Sequence, residues 1–157
     1  IPWARARAGQ RYQIDDLVLE VLAPTDSAVH AEQAGAAAAN AVSVVALANW
    51  KGFRVLLTGD AEVETEALLT RTVPDVDVLK VGHHGSTTST SPALLERSRP
   101  EVALISVGRG NRYGHPAPAV LERLDRAGAR VLRSDRDGMV RIVVRRDGRY
   151  TVLTSRR

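Results

Sequence analysis

Three short runs hold the side chains able to do chemistry. Gly82-His83-His84-Gly85-Ser86 sets two imidazoles between glycines. An imidazole titrates near neutrality and ligates transition metals, so a pair suits metal binding or proton transfer. The glycines let backbone and ligand approach with no Cβ between them. Leu56-Leu57-Thr58-Gly59-Asp60 ends in a carboxylate, and Asn111-Arg112-Tyr113-Gly114-His115-Pro116 adds a third imidazole. Each run follows an apolar stretch with the pattern of a strand: Phe53 to Thr58, Val76 to Val81 and Val102 to Val107. Strand ends carrying Asp, His-His and His form one convergent site. Neighbours on a strand point to opposite faces. His83 and His84 can therefore share that site only if the strand has ended, which Gly82 allows.

The elements that must position these residues alternate regularly from Asp60 onward. Ala61 to Arg71 is a helix with acidic residues in its first turn and Val63, Ala67 and Leu68 on one face. Ser91-Pro92 is an N-cap followed by proline at the first helical position, opening a helix to Ser98. Pro118 to Ala127 is a helix stopped by Gly128, with Val120, Leu121 and Leu124 inward. Val131-Leu132 starts the last sheet region. Met139 to Val144 and Tyr150 to Leu153 form a hairpin around Arg146-Asp147-Gly148-Arg149. Upstream, Val42 to Ala48 and Phe53 to Thr58 flank Asn49-Trp50-Lys51-Gly52, another hairpin signature. Leu17 to Leu22 is a strand, and Trp3 to Arg11 has the alternation of a short edge strand. Ser27 to Ala39 is alanine-rich without large apolar residues on one face, and is expected to be a mobile loop, with helix as the alternative.

Composition narrows the chemistry. The chain has 157 residues, 44% hydrophobic, which suits one globular domain. Its net charge is +4, from 22 basic and 18 acidic residues, and permits a polyanionic partner without requiring one. The absence of cysteine excludes disulfides and thiolate metal sites, so any metal must use histidine and carboxylate. No apolar run is long enough to span a bilayer and no signal peptide opens the chain. The first residue is Ile1, as expected of a processed chain or a piece of a longer one.

Some of these features also have plainer readings. Thr-Gly-Asp after a strand is often only a turn. His115 before Pro116 can simply close a loop. The hydroxyl-rich Ser86 to Ser91 could bind phosphate, although a solvated loop is the commoner role. His30 lies in the alanine-rich segment with nothing chemical around it. Arg141, Arg145 and Arg146 could touch nucleic acid, but charged residues are most often a solvated strand face.

In order and spacing these motifs resemble the metallo-β-lactamase-like domain of ComEC/Rec2 DNA-uptake proteins. The resemblance rests on Leu56 to Asp60, on Asp77-Val78-Leu79-Lys80-Val81-Gly82-His83-His84-Gly85-Ser86, and on Ile105-Ser106-Val107-Gly108 with Asn111 to Pro116. Ser134-Asp135-Arg136-Asp137-Gly138 belongs to it as well. It is good over Ala41 to Val144 and weak over the first forty residues, within a single partial domain spanning 1–157. Phosphocholine-esterase-like branches of the superfamily share a His-His-Gly-Ser run.

The resemblance implies an α/β fold, the C-terminal portion of a metallo-β-lactamase-like αββα sandwich. It implies that Asp60 is a metal-bridging carboxylate and that one of His83 and His84 is a metal ligand. His84 is taken as that ligand and His83 as a catalytic group near the substrate. His115 is catalytic, and Ser86, Asn111 and Tyr113 contact substrate. The implied cofactors are two divalent ions, zinc or manganese, and the implied reaction is hydrolysis of DNA phosphodiesters by metal-bound hydroxide. Single-stranded DNA is the implied partner. The implied setting is a soluble, extracytoplasmic domain of a polytopic membrane protein, this segment itself making no membrane contact.

One departure qualifies all of this. The superfamily's principal metal motif, His-x-His-x-Asp-His, is missing; the four histidines are His30, His83, His84 and His115. Asp60, His83, His84 and His115 cannot alone supply about three ligands for each of two ions. The chain is therefore expected to form one wall of the site and to bind metal weakly. Its sheet face should await the missing half of the domain, or self-associate. A different phosphoesterase of the superfamily, or a non-catalytic nucleic-acid-binding or assembly module, are the alternatives.

Overall fold

A computed structural model describes residues 4–156. Seven strands form one sheet in sequential order: β1 (Arg11–Ile14), β2 (Leu17–Ala23), β3 (Val45–Trp50), β4 (Phe53–Leu57), β5 (Val78–Lys80), β6 (Val102–Ile105) and β7 (Arg130–Arg133). The first four are antiparallel neighbours, and β4 to β7 run parallel. Parallel neighbours need crossovers. These are α2 (Val63–Leu69), α3 (Pro92–Ser98) and α4 (Pro118–Arg126). Ser91 caps α3 through Leu94 N–H, and proline occupies the first turn of both α3 and α4, as their sequences predict.

The crossover helices cover one face of the sheet. Leu56, Leu79, Ala103 and Ile105 meet Leu69, Leu94, Val120 and Leu124 there, all buried. Burial of each leucine contributes roughly 1.5–3 kcal/mol. The opposite face carries the hairpin of β8 (Val140–Val144) and β9 (Tyr150–Thr154). Its Val140, Ile142, Val144, Tyr150 and Val152 pack on Phe53, Val78, Val102 and Leu132. The result is helices, sheet and a two-stranded second sheet, an α/β sandwich as the sequence implies.

The hairpin covers only part of its face. Strand register places Ile14, Leu17, Trp50 and Phe53 in one row, and Tyr12, Leu19, Ala48 and Val55 in the next. Away from the hairpin, Ile14 is 67% exposed and Tyr12 43%.

Several boundaries differ from the sequence reading. Asp26–Gln33 is a helix, α1, where a mobile loop is expected: the Thr25 hydroxyl caps it through Ala28 N–H, and alanine needs little else. None of its residues is buried, in keeping with the missing apolar face. The edge strand is Arg11–Ile14, and residues 4–10 are not a strand; Trp3 lies outside the described residues. Trp50 pairs with Phe53, so the β3–β4 turn is just Lys51-Gly52. Both have positive φ, 52° and 93°, as a tight hairpin requires. Val42 belongs to a 3₁₀ turn, Ala39–Val42, ahead of β3. A short helical turn, α5 (Ser134–Asp137), follows β7.

Candidate functional site

Because β4 to β7 are parallel, the loops leaving their carboxyl ends lie along one edge of the sheet. In open α/β sheets that edge is where ligands bind. Asp60 follows β4, His83 and His84 follow β5, the 106–115 loop follows β6, and Ser134–Asp137 follows β7.

The turn after β5 departs most from ordinary backbone. His83 (φ 43°, ψ 46°) and His84 (φ 55°, ψ 17°) are both left-handed. That conformation costs roughly 1–2 kcal/mol per non-glycine residue, and persists only where surroundings enforce it. Three hydrogen bonds do so: His83 N–H to Gly59 O (3.1 Å), Ser86 N–H to His83 O (2.9 Å) and the Ser89 hydroxyl to Gly82 O (2.8 Å). The flanking glycines are points of close approach. A Cβ on Gly82 would sit 2.9 Å from Ala61 O, and one on Gly85 would sit 2.6 Å from Pro116 Cβ. Ala117 N–H donates to Gly85 O at 2.8 Å, fastening the loop after β6 to the loop after β5.

This brings the three imidazoles together. The His83 ring lies 5.9 Å from that of His115 and 6.4 Å from that of His84, between centroids. Tyr113 stacks on His115 at 6.2 Å with 19° between the rings. His84 Nδ1 meets Ser106 O at 2.6 Å. A carbonyl only accepts, so Nδ1 is the donor, and in the neutral ring Nε2 is the nitrogen left with a lone pair. His83 Nδ1 meets Glu62 Oε1 at 3.0 Å, with the same consequence. A histidine held through Nδ1 by a carbonyl or carboxylate is oriented to use Nε2 as ligand or base.

Glu62 is the residue the sequence reading missed. Besides His83 it accepts from the Thr88 hydroxyl (2.9 Å) and from Asn40 Nδ2 (3.4 Å). The Thr88 bond first, then His83 and Asn40, hold its carboxyl below the ordinary value against the opposing effect of burial. It lies two residues beyond Asp60, but its partner is 21 residues away, so no local spacing marks it. Lys80 is a second omission. Its Nζ approaches Gly59 O at 3.5 Å, and burial lowers its pKa while the neighbouring Asp60 partly opposes that.

The other residues singled out in the sequence fall as follows. Asp60 is half-buried on the turn after β4. Ser86 is buried, and its hydroxyl pairs with that of Thr88 at 3.0 Å, so it reaches the site through Thr88. Asn111 clamps its own loop, donating to His115 O (2.7 Å) and accepting from His115 N–H (3.1 Å). Tyr113 is 85% exposed. Ser134 fastens the end of β7 to that of β6, its hydroxyl bonding both N–H (2.7 Å) and O (2.8 Å) of Val107. His30 is exposed on α1.

Asp60 and His84 have the donor chemistry of metal ligands. Among the described residues, however, no three His, Asp or Glu side chains converge to hold an ion. The donors present do not make a complete metal centre. No described helix is long and apolar enough to cross a membrane.

No protein-family model matches the chain. A solved structure from Parabacteroides distasonis, described provisionally as a metal-dependent hydrolase, superposes with a TM-score of 0.52 at 15% identity, over 82% of this chain and 56% of that one. Together with the sandwich and the strand-end site, that defines a metallo-β-lactamase-like α/β fold. Two curated proteins are similar in sequence. Recombination protein 2 of Haemophilus influenzae is 41% identical over 84 residues, 54% of this chain and 10% of that protein. ComE operon protein 3 of Bacillus subtilis is 39% identical over 136 residues, 85% of this chain and 17% of that protein. In sequence the chain resembles proteins of the ComEC/Rec2 type, and it spans a small part of these relatives' length.

Proposed function

We propose that this chain is one wall of a phosphodiester-hydrolysing site acting on DNA in a DNA-uptake protein. The carrying observation is the cluster at the carboxyl edge of the sheet, His83 and His84 on a strained turn and His115 from the loop after β6, with Nδ1 of both His83 and His84 committed and Nε2 left over. In this reading Asp60 and His84 are donors toward a divalent ion, zinc or manganese. Further donors come from outside the described residues. His83, held by Glu62, and His115 act on the substrate and its protons, while Asn111, Tyr113 and the Ser86–Thr88 pair shape the surface that receives it. The uncovered face carrying Tyr12 and Ile14 accepts the rest of the domain or a second copy. The setting is the extracytoplasmic side of a polytopic membrane protein.

The test is hydrolysis of single-stranded DNA with manganese, in the longest form of the protein that contains this chain. Asp60→Ala and His84→Ala should abolish it with circular dichroism unchanged. His115→Ala should cost about 10²- to 10⁴-fold, the usual range for a proton-transfer group. His30→Ala should cost nothing. Wild-type rates in the Asp60 and His84 variants would sink the assignment. The incomplete donor set supports a second reading, a binding or assembly module without catalysis. Metal analysis separates the two: hydrolysis requires ions held stoichiometrically in the longer form, and weak, substoichiometric binding is expected of this chain alone.

A further inference from the structure

Tyr113 is the most exposed large apolar side chain among the described residues, at 85%. It is also one of few aromatics, the chain holding three tyrosines, two tryptophans and one phenylalanine. One ring face lies against His115, 6.2 Å away and nearly parallel. An exposure of 85% leaves the other face to solvent. The ring is not on a loose tip, because the Asn111 side chain bonds both backbone groups of His115 and closes the loop from inside. Two arginines precede it on the same loop, Arg109 and Arg112, both exposed. Arg109 donates only to the carbonyl of Asp135 (3.2 Å), and among the described residues neither arginine forms an ion pair. The loop thus carries an open aromatic face and two exposed arginines without an ion pair, beside the histidine cluster.

Resting on the reading proposed above, we infer that Tyr113, backed by His115, is a stacking platform for an unpaired nucleobase, with Arg109 and Arg112 holding the adjoining phosphates. Stacking on an aromatic face combined with backbone charge is how proteins grip single strands without reading sequence. Bases inside a duplex have both faces occupied, so the platform selects single-stranded nucleic acid. It also sets the strand's register, placing a phosphate next to the stacked base near His83 and His115.

The test is fluorescence anisotropy of this chain with a short labelled oligodeoxythymidine, an abasic strand of equal length and a blunt duplex. The base-bearing strand should bind about tenfold more tightly than the abasic one, the scale of one stacked base. Tyr113→Ala should erase that difference, and Tyr113→Phe, which keeps the ring and loses the hydroxyl, should preserve it. Arg112→Gln should weaken both strands alike and flatten the salt dependence. Arg146→Gln, the same charge change on the distant hairpin turn, should do neither. Equal affinity for base-bearing and abasic strands, a difference that survives Tyr113→Ala, or no measurable binding overturns the inference. Base-dependent binding without hydrolysis leaves the platform standing and removes the nuclease reading. Hydrolysis with base-independent binding does the reverse.

Discussion

The two ends of the parallel strands use similar residues for different purposes. At the amino ends lies the larger hollow, about 940 Å³, lined by Phe53, Asp77, Glu101, Arg130, Arg149 and Tyr150 among others. Several of its polar groups already have partners. Asp77 accepts from Arg54 N–H at 2.6 Å, the Tyr150 hydroxyl donates to Glu101 at 2.6 Å, and Asp147 pairs with Arg149. Burial and the Glu101 bond push the Tyr150 hydroxyl well above the ordinary tyrosine range, so it stays a donor. At the carboxyl ends the backbone is left-handed at two histidines, and among the described residues their Nε2 atoms make no hydrogen bond. In the reading proposed above, stored strain and free ring nitrogens mark the functional edge.

The sharpest way to break this contrast is to add one methyl group at each end. Gly85 and Gly148 both have positive φ, 83° and 81°. A Cβ at Gly85 meets Pro116 at 2.6 Å, whereas at Gly148 nothing lies within 4 Å. Gly148→Ala should cost only the left-handed strain, roughly 1–2 kcal/mol. Gly85→Ala should cost that and also push the loop after β6 away from the loop after β5. Hydrolysis should then fall by more than any loss of stability explains. Urea melts beside assays would show it, and equal behaviour of the two variants would mean the close approach does not matter.

Next in size is Glu62. In the reading proposed above it is a positioning residue, acting through His83. Removing such an outer partner typically costs 10- to 100-fold. Glu62→Ala should lower kcat by that order with little change in KM, and Glu62→Gln should recover much of it, since an amide oxygen still accepts from Nδ1. A change confined to stability would make Glu62 merely structural. At the other end, Tyr150→Phe removes the bond to Glu101 but keeps the ring against Phe53 (5.1 Å). It should cost about 1 kcal/mol in a chemical melt and leave hydrolysis alone.

What was legible in the sequence divides along the same line. The strand-end motifs and α3 and α4 carry local signals: apolar runs, Ser91-Pro92, and Pro118 with Gly128. These were enough for the alternation of strands and helices and for the grouping of His83, His84 and His115, while the sandwich came from the family resemblance those motifs carry. Glu62 was not legible, because its role is made by Thr88 and His83 across the fold. The left-handed backbone at His83 and His84 was also hidden. Glycine advertises positive φ and histidine does not, and here tertiary hydrogen bonds impose it. The helix α1 has no apolar stripe, so periodicity said nothing, although Pro24-Thr25-Asp26 held a cap signal. Gly9 interrupts the alternation that placed the edge strand too early.

The smallest expected effect concerns two aspartates, one at each end, that share the same chemistry. Asp135 pairs with Arg133 at 2.7 Å, the side chains being 16% and 13% exposed. Asp147 pairs with Arg149 at 2.6 Å, at 46% and 78%. The arginine hydrogen bond is the main cause in each case, and both carboxyls lie below the ordinary 3.8. A carboxyl depressed on folding adds stability that is fully present above the unfolded pKa and is lost as pH falls through the folded one. The loss therefore begins near pH 4 and continues below it. Exposed pairs contribute little because solvent screens them, and at Asp147 both partners are largely in water. Asp135→Asn should thus flatten the acid limb of the stability curve measurably, while Asp147→Asn should leave it unchanged. Urea midpoints at neutral pH and at pH about 3 would show the difference. If Asp147→Asn flattens the limb as much as Asp135→Asn does, burial is not what separates the two ends.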